Sequence, residues 1–177
     1  MRLHDTDVPF DRRKNGIGLL YTIVSGVRVV IKERGMDSGK IIDALKKTPI
    51  FAKTSDESLQ SLLKSAIQKT VQAGTKIVEK GQSGLGFYLV LSGKADVMGG
   101  GKKLAEIGEG GFFGELSVID GAPRTADVVA KTDVTCLVVS QWAMRSIIET
   151  HPEIALSMLD ELARRLRATH EKDGMAS

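Results

Sequence analysis

The chain has 177 residues, with 25 Lys and Arg against 22 Asp and Glu, and a single cysteine. This length suits one domain with a sizeable core and some helical additions, and a single cysteine excludes an internal disulfide. The basic excess lies in residues 1–50, which carry ten Lys and Arg against six Asp and Glu, so nucleic-acid binding is not indicated. No signal peptide is visible, and a cytoplasmic location is expected.

The N-terminal segment, residues 1–47, is predicted to be helical. Apolar residues recur at spacings of three and four along residues 17–31, as in an amphipathic helix, although many β-branched residues leave a strand open. A membrane span is disfavoured, because the apolar run has only sixteen residues and contains Arg28. We expect this helix to pack on the domain, on a partner protein or on a second copy of the chain. A second short helix is predicted to follow, with Asp37 or Ser38 as its cap and Ile41, Ile42 and Leu45 as its apolar face.

Residues 48–170 read as one α+β domain with a β-roll at its centre. Thr54 and Glu57 form a capping box for a helix that extends to about Ala66. Short alternating or apolar runs then occupy residues 67–140, and thirteen of the nineteen glycines lie between Gly74 and Gly121. Such glycine density is typical of tight turns in an antiparallel sheet that closes on itself. Cys136 falls in one of these runs and is predicted to be a buried strand residue.

Residues 141–170 are predicted to form two helices, broken just before Pro152, and residues 171–177 a tail. Trp142, at the start of the first helix, is expected to pack in the core. The apolar stripe of the second helix comprises Ala155, Met158, Leu159, Leu162 and Leu166. The predicted fold class is therefore an antiparallel, jelly-roll-like β-roll flanked by N-terminal helices and two C-terminal helices.

Three kinds of catalytic or metal site are disfavoured. A mononuclear metal site in the roll would need histidine ligands, but His4, His151 and His170 all lie outside it. The glycines at 35 and 39 are one residue too close for a nucleotide phosphate loop, and isoleucine follows Lys40 where serine or threonine is required. A serine–histidine–aspartate triad has no histidine near the strands. We therefore expect neither an enzyme nor a bound metal or cofactor.

The sequence GFFGELSVIDGAPRTADVVA, residues 111–130, has the features of an anion site. After Gly114 it is compatible with a turn of helix, whose first amides would lack partners and attract an anion. Arg124 returns to the same neighbourhood and offers paired donors to phosphate oxygens. Glu115 suits a sugar hydroxyl better than a multiply charged phosphate. The residues alone leave open a second interpretation, an exposed Glu115–Arg124 ion pair that closes a loop.

FGELSVIDGAPRTADVVA resembles the phosphate-binding cassette of the cyclic nucleotide-binding domain family, which includes regulatory subunits of cyclic-nucleotide-dependent kinases, gated ion channels and bacterial catabolite activator proteins. The resemblance covers residues 113–130 closely, and residues 50–167 more loosely. It implies that Glu115 accepts the ribose 2′-hydroxyl, that Arg124 pairs with the cyclic phosphate, and that amides around Gly114 add donors. The residues it places at the ligand are Gly114, Glu115, Leu116, Ser117, Pro123, Arg124, Thr125 and Ala126.

The resemblance also implies a lid over the base from the last helix, for which Leu162, Arg165 and Leu166 are the candidates. Thr125 suits the guanine amino group of cGMP, but relatives with Ser or Thr at this position also bind cAMP, and cAMP is favoured. The expected function is a regulatory module whose C-terminal helices change position when a cyclic nucleotide binds, and which acts through an unknown partner or through self-association. The alternative is the ligand-sensing fragment of a larger DNA-binding regulator or membrane protein.

Overall fold

In the part of the chain that the structure describes, the fold consists of two antiparallel sheets and five helices. The structure, a computed structural model, describes residues 19–24, 27–32, 38–84 and 86–172. In chain order the elements are β1 Leu19–Val24, β2 Val27–Lys32, α1 Ser38–Lys46, α2 Asp56–Lys64, β3 Ala66–Val71, β4 Lys76–Val78, β5 Gly86–Ser92, β6 Ala95–Gly99, β7 Lys102–Ile107, β8 Phe112–Phe113, α3 Glu115–Asp120, β9 Asp127–Ala130, β10 Val134–Ser140, α4 Gln141–Thr150 and α5 Pro152–Lys172.

The β-roll is built from both sheets. One sheet has six strands in the order β1-β2-β3-β10-β5-β8, and the other has four in the order β4-β9-β6-β7. Strand β10 lies between β3 and β5, and β9 lies between β4 and β6, all antiparallel. The predicted fold class is confirmed, and every strand predicted between residues 67 and 140 is present. Gly81, Gly93 and Gly114 have positive φ angles at the turns, a conformation that favours glycine.

The central strands of the six-stranded sheet bury both faces. In β5, Phe87 and Leu89 face a cluster formed with the helices, whereas Tyr88 and Val90 face a second cluster inside the roll. Strand β10 alternates in the same way, which is the period-two pattern of a sheet covered on both sides. Cys136 lies in the roll cluster, as predicted, and burial raises the pKa of its thiol to about 12.

The two helices that precede the roll pack in the same core as the C-terminal helices. On α1, Ile41 and Leu45 are buried and Ile42 is partly buried, as predicted. Helix α2 begins one residue later than predicted. Its N-cap is Ser55, whose hydroxyl accepts from the Ser58 amide at 3.2 Å, so the capping box expected at Thr54 is wrong.

The helix predicted over residues 17–31 is wrong. The described part of this segment forms β1 and β2, an antiparallel hairpin in which Val24 pairs with Val27, and β2 extends the sheet by pairing with β3. Seven of the twelve residues in these two strands are β-branched, and such residues pack well on a pleated sheet and lose side-chain freedom in a helix. The alternative cap Asp37 and the last five residues of the predicted tail lie outside the described ranges.

Two details of the C-terminal helices differ from the prediction. Trp142 is 81% exposed, because the buried side of α4 is formed by Met144 and Ile147. On α5, Ile154 and Met158 are buried, whereas Leu159 and Leu166 of the predicted stripe are exposed together with Leu156. Within the described residues, no helix combines the length and apolar character that crossing a bilayer requires.

Candidate functional site

Arg124 is held inside the roll by main-chain carbonyls. It is only 7% exposed, and its Nη1 and Nη2 atoms donate to the carbonyl oxygens of Gly114 at 3.0 Å and Gly86 at 2.5 Å. Its guanidinium lies 5.6 Å from the centre of the Tyr88 ring. Burial lowers the pKa of Arg124 below its ordinary value, opposed by the nearby Tyr88 and Glu115. The side chain is thus a buried cation that main-chain carbonyls hold in place.

The loop before β5 and the start of α3 leave room for Arg124 only because they contain glycine. Gly114, the N-cap of α3, has a φ of 85°, and a Cβ atom there would overlap Nη1 of Arg124. A Cβ atom on Gly84 would overlap the side chain of Ser117 and lie 3.1 Å from Cζ of Arg124. The main chain of Arg124 also bonds this loop, since its amide donates to Gln82 and its carbonyl accepts from Gly81. Helix α3, the loop and Arg124 therefore form one tightly packed unit.

Glu115 is the first residue of α3 and is 6% exposed. Burial raises the pKa of its carboxyl group, and a hydrogen bond from its own main-chain amide, then Arg165 and Arg124, oppose that rise. Its ion-pair partner is Arg165, with Nη1 of Arg165 at 3.3 Å from Oε1 of Glu115. The interpretation of residues 111–130 as an exposed Glu115–Arg124 ion pair is therefore wrong, because both side chains are buried and each bonds a different group.

Arg165 of α5 lies across the start of the cassette. Besides Glu115, it donates to the carbonyl oxygen of Phe112 at 3.0 Å and to Glu161 at 2.9 Å. Its guanidinium lies 4.2 Å from the centre of the Phe112 ring, within the range of a cation–π contact. Arg165 therefore joins α5 to the strand and the helix start that flank Gly114.

A pocket of about 420 Å³ opens beside Arg124. Tyr88 and Val138 line its inner side and Glu79, Gln82 and Ser83 its rim. Tyr88 stacks on Phe113 at 4.8 Å, and burial raises the pKa of its hydroxyl. Mixed apolar and polar walls around a buried cation are typical of a site for a small organic anion.

Two comparisons bear on the family. The family model for the cyclic nucleotide-binding domain matches residues 68–151. The N-terminal domain of a transcriptional regulator from Streptomyces coelicolor is 32% identical, with a TM-score of 0.59, and the alignment covers 76% of this chain and 96% of that one. The chain belongs to the cyclic nucleotide-binding domain family.

Other solved structures have the same fold. A cyclic nucleotide-binding domain from Methylobacillus flagellatus is 24% identical, with a TM-score of 0.66, covering 76% of this chain and 81% of that one. The catabolite activator protein of Thermus thermophilus is 30% identical, with a TM-score of 0.65 over 72% of this chain. The present chain covers 62% of that protein.

The fold brings together some of the predicted site residues and separates others. Arg124 and Glu115 are buried near each other, and Gly114 contacts Arg124 directly. Ser117 is buried beneath the loop that contains Gly84, whereas Leu116, Pro123 and Thr125 are exposed and Ala126 is half-buried. Of the three lid candidates, Arg165 contacts the cassette, Leu162 is half-buried, and Leu166 is 57% exposed.

Several residues of the site were not predicted from the sequence. Tyr88 and Gly84 adjoin Arg124, and Phe112 and Glu161 hold Arg165. A signal was available for Glu161, because its spacing of four residues from Arg165 puts the two side chains on one helix face. Tyr88 gave no signal, since the alternation of β5 does not show which inward residue reaches the cassette.

Proposed function

We propose that this domain binds a cyclic nucleotide at the cassette, with cAMP preferred over cGMP, and passes the signal on through α5. The observation that carries the proposal is the burial of one arginine and one glutamate around Gly114 in a member of this family. A 3′,5′-cyclic nucleotide has one negative charge on its phosphate and a free ribose 2′-hydroxyl. These two groups match one buried guanidinium and one buried carboxylate.

Arg124 is the proposed partner of the cyclic phosphate. A guanidinium has five N–H donors, and the carbonyls of Gly86 and Gly114 account for two of them. The carbonyls thus orient the planar group and leave donors for a phosphate oxygen pair. Since burial disfavours the charged form of the side chain, a bound anion would compensate part of this cost.

Glu115 is the proposed acceptor for the ribose 2′-hydroxyl. Arg165 contacts Oε1, and the charge of Arg165 opposes the rise in the pKa of this buried carboxyl group. An ionised carboxylate has several acceptor sites, so one contact with Arg165 leaves capacity for a hydroxyl donor. The main-chain amides of Leu116, Ser117, Thr125 and Ala126 are proposed as further donors, with Pro123 shaping the turn.

Helix α5 is the proposed lid and output element. Arg165 docks it on Glu115 and Phe112, Leu162 lies on the same helix one turn earlier, and Leu166 follows. We propose that a ligand bound beneath Arg165 favours this docked arrangement over one in which α5 has moved away, because only the docked arrangement completes the site. The exposed leucines at 156, 159 and 166 move with the helix, and a partner protein or a second copy would sense them.

The second candidate function is the ligand-sensing part of a larger DNA-binding regulator or membrane protein. The similarity to the N-terminal domain of a transcriptional regulator supports the DNA-binding form of this proposal. Both candidates share the cyclic nucleotide site and differ in what α5 acts on. Because residues 19–24 and 27–32 form strands, self-association through this segment would use a strand edge and not the predicted helix face.

The test is a calorimetric titration with cAMP and with cGMP. We expect micromolar or tighter binding with cAMP ahead, and Thr125→Ala should lower affinity for cGMP more than affinity for cAMP. Equal losses would remove Thr125 as a selectivity residue. No heat and no thermal shift with either nucleotide at millimolar concentration would exclude the proposed function.

A further inference from the structure

The joint between α4 and α5 is tied to α2 by a side-chain hydrogen bond. Nδ1 of His151 lies 2.7 Å from the hydroxyl oxygen of Ser58, a residue 93 positions earlier in the chain. Ser58 is fully buried in the first turn of α2, and its hydroxyl also lies 2.7 Å from that of Ser55, the N-cap of the helix. The contact therefore links the start of α2 to the C-terminal helices.

His151 itself is the residue at which the chain turns from one helix into the next. Its amide donates to the carbonyl of Ile147 at 2.8 Å and so ends α4, and its carbonyl accepts from the amide of Ile154 at 3.1 Å in the first turn of α5. Its side chain is about a quarter exposed, with Glu153 at 3.7 Å. Fixing the His151 ring on Ser58 therefore fixes the place and direction in which α5 begins.

The direction of α5 decides where Arg165 lies. Arg165 follows His151 by fourteen residues, which corresponds to a helical length of about 21 Å. Over that length, a tilt of about 10° at the joint displaces the Arg165 backbone by about 4 Å, enough to break hydrogen bonds of 3.0 and 3.3 Å. The contacts of Arg165 with Phe112 and Glu115 thus depend on the joint being held.

We propose that His151, bonded to Ser58, is a positioning residue for the cyclic nucleotide site: it holds the α4–α5 joint against α2 and so keeps Arg165 over Glu115. This inference rests on the proposed function of the cassette and of α5. The hydrogen bond forms in either tautomer of the ring, because the hydroxyl of Ser58 can donate to Nδ1 or accept from it. Loss of the His151 ring nitrogen leaves the Ser58 hydroxyl with Ser55 as its remaining side-chain partner, at a position that is closed to water.

The test uses three variants of the full chain and cAMP as the probe. His151→Phe keeps a ring but removes the nitrogen, and Ser58→Ala removes the hydroxyl from the other side. His151→Asn is the matched control, because its amide carries a polar atom at the position of Nδ1. We expect His151→Phe and Ser58→Ala each to weaken cAMP binding about three- to fivefold, no more than removal of Arg165 itself, and His151→Asn to bind within about twofold of wild type.

The Arg165→Ala background shows whether the effect passes through Arg165. We expect His151→Phe to have little further effect on cAMP affinity in that background, because the contact that it positions is already absent. A loss as large as in the wild-type background would mean that His151 supports the fold in general, and would overturn the proposal. The same conclusion would follow if His151→Asn bound as weakly as His151→Phe.

Hydrogen exchange on the ligand-free protein separates this inference from the proposed function. His151→Phe should speed amide exchange in α5 by about threefold or more relative to the strands of the roll, whereas His151→Asn should not. Unchanged exchange in α5 overturns the role of His151 whatever the ligand is. If His151→Phe speeds exchange in α5 but wild type binds neither nucleotide, the role of His151 at the joint is supported and the proposed cyclic nucleotide function is wrong.

Discussion

The two arginines at the cassette are held in different ways. Arg124 is 7% exposed and is bonded to main-chain carbonyls of Gly86 and Gly114, which cannot move without moving the roll. The Arg165 side chain is 36% exposed and is bonded to Glu115 and Glu161, side chains with rotamers of their own, with a single main-chain contact at Phe112. In the proposed function, the first arrangement is a preformed subsite, and the second is an adjustable contact on a separate helix.

From this difference we infer different roles for the roll and for α5. In the proposed function, a buried, fixed cation would select the charge of the ligand, at the cost of desolvating its guanidinium. A partly exposed arginine on α5 gains less from each contact, but in the proposed function it would report whether the site is occupied. Substitutions on the two sides should therefore differ in the size of their effect and in what they change.

The largest effect is expected from Arg124→Ala. Removing one side of a buried charge pair typically costs roughly 2–5 kcal/mol of binding free energy, which corresponds to about 30-fold or more in the dissociation constant for cAMP. Arg124→Lys keeps the charge but loses the planar fork, and should recover only part of the affinity. Calorimetry measures both variants. If Arg124→Ala bound cAMP as tightly as wild type, Arg124 would not be the phosphate partner and the ligand would lie elsewhere.

Glu115→Gln should weaken cAMP binding by about 1.5–3 kcal/mol, the range for a hydrogen bond to a charged group. The matched ligand is a 2′-deoxy cyclic nucleotide, which lacks the hydroxyl and should bind the variant and wild type about equally. Equal weakening of both ligands would show that Glu115 acts through α5 and not through the ribose.

The same substitution should raise thermal stability at neutral pH. Burial raises the pKa of Glu115 in the folded protein above its ordinary value near 4.5, so folding favours its protonated form. The stabilisation that protonated Glu115 gives the folded protein is fully present below the pKa of Glu115 in the unfolded chain. It is lost as the pH rises through the higher pKa of Glu115 in the folded protein. Gln does not titrate, so its advantage in melting temperature should be present at pH 7 and should vanish towards pH 4. A constant difference across this range would contradict the assignment to the Glu115 carboxylate.

Gly84→Ala tests how rigid the roll side is. The added Cβ atom would overlap the side chain of Ser117 and crowd Arg124, and overpacking of this kind typically costs about 1–3 kcal/mol of stability. Gly108→Ala is the control, because its Cβ atom would meet open space. The measurements are the cAMP affinity of both variants by calorimetry and their stability by thermal unfolding. If the two variants had equal thermal stability and equal cAMP affinity, the cassette would accommodate the added Cβ atom. The proposed difference in rigidity between the roll and α5 would then be wrong.

Much of the roll could be predicted from the sequence because strand alternation and glycine turns are local signals. The hydrogen bond from Arg124 to the carbonyl of Gly86 could not be predicted, since it joins residues 38 positions apart through the closure of the roll. Residues 17–31 were misread because their apolar spacing fits a helix as well as a strand. There the β-branched content, and pairing of β2 with β3, outweighed the periodicity.

The contact that α5 makes with the cassette was harder to predict than the cassette itself, for a related reason. Arg165 was one of three candidates on α5, and only the packing of α5 on Phe112 distinguishes it from Leu166, which is exposed. Trp142 shows the same limit, because a large aromatic residue predicts burial and the register of α4 instead places it outside. Helix faces depend on neighbours distant in sequence, which a local pattern does not contain.

Arg165→Ala should have the smallest effect on affinity and the most specific effect on α5. The side chain is partly exposed, so we expect a loss of about 1 kcal/mol, or roughly fivefold in the dissociation constant for cAMP. Arg164→Ala is a close control, because Arg164 is more exposed and its ion pair is with Glu161 of its own helix. Hydrogen exchange should show that cAMP slows amide exchange in α5 of wild type and Arg164→Ala, but less so in Arg165→Ala. If Arg165→Ala instead lost as much affinity as Arg124→Ala, with α5 exchange unaltered, Arg165 would belong to the preformed subsite, and the signal would have to leave the roll by another route.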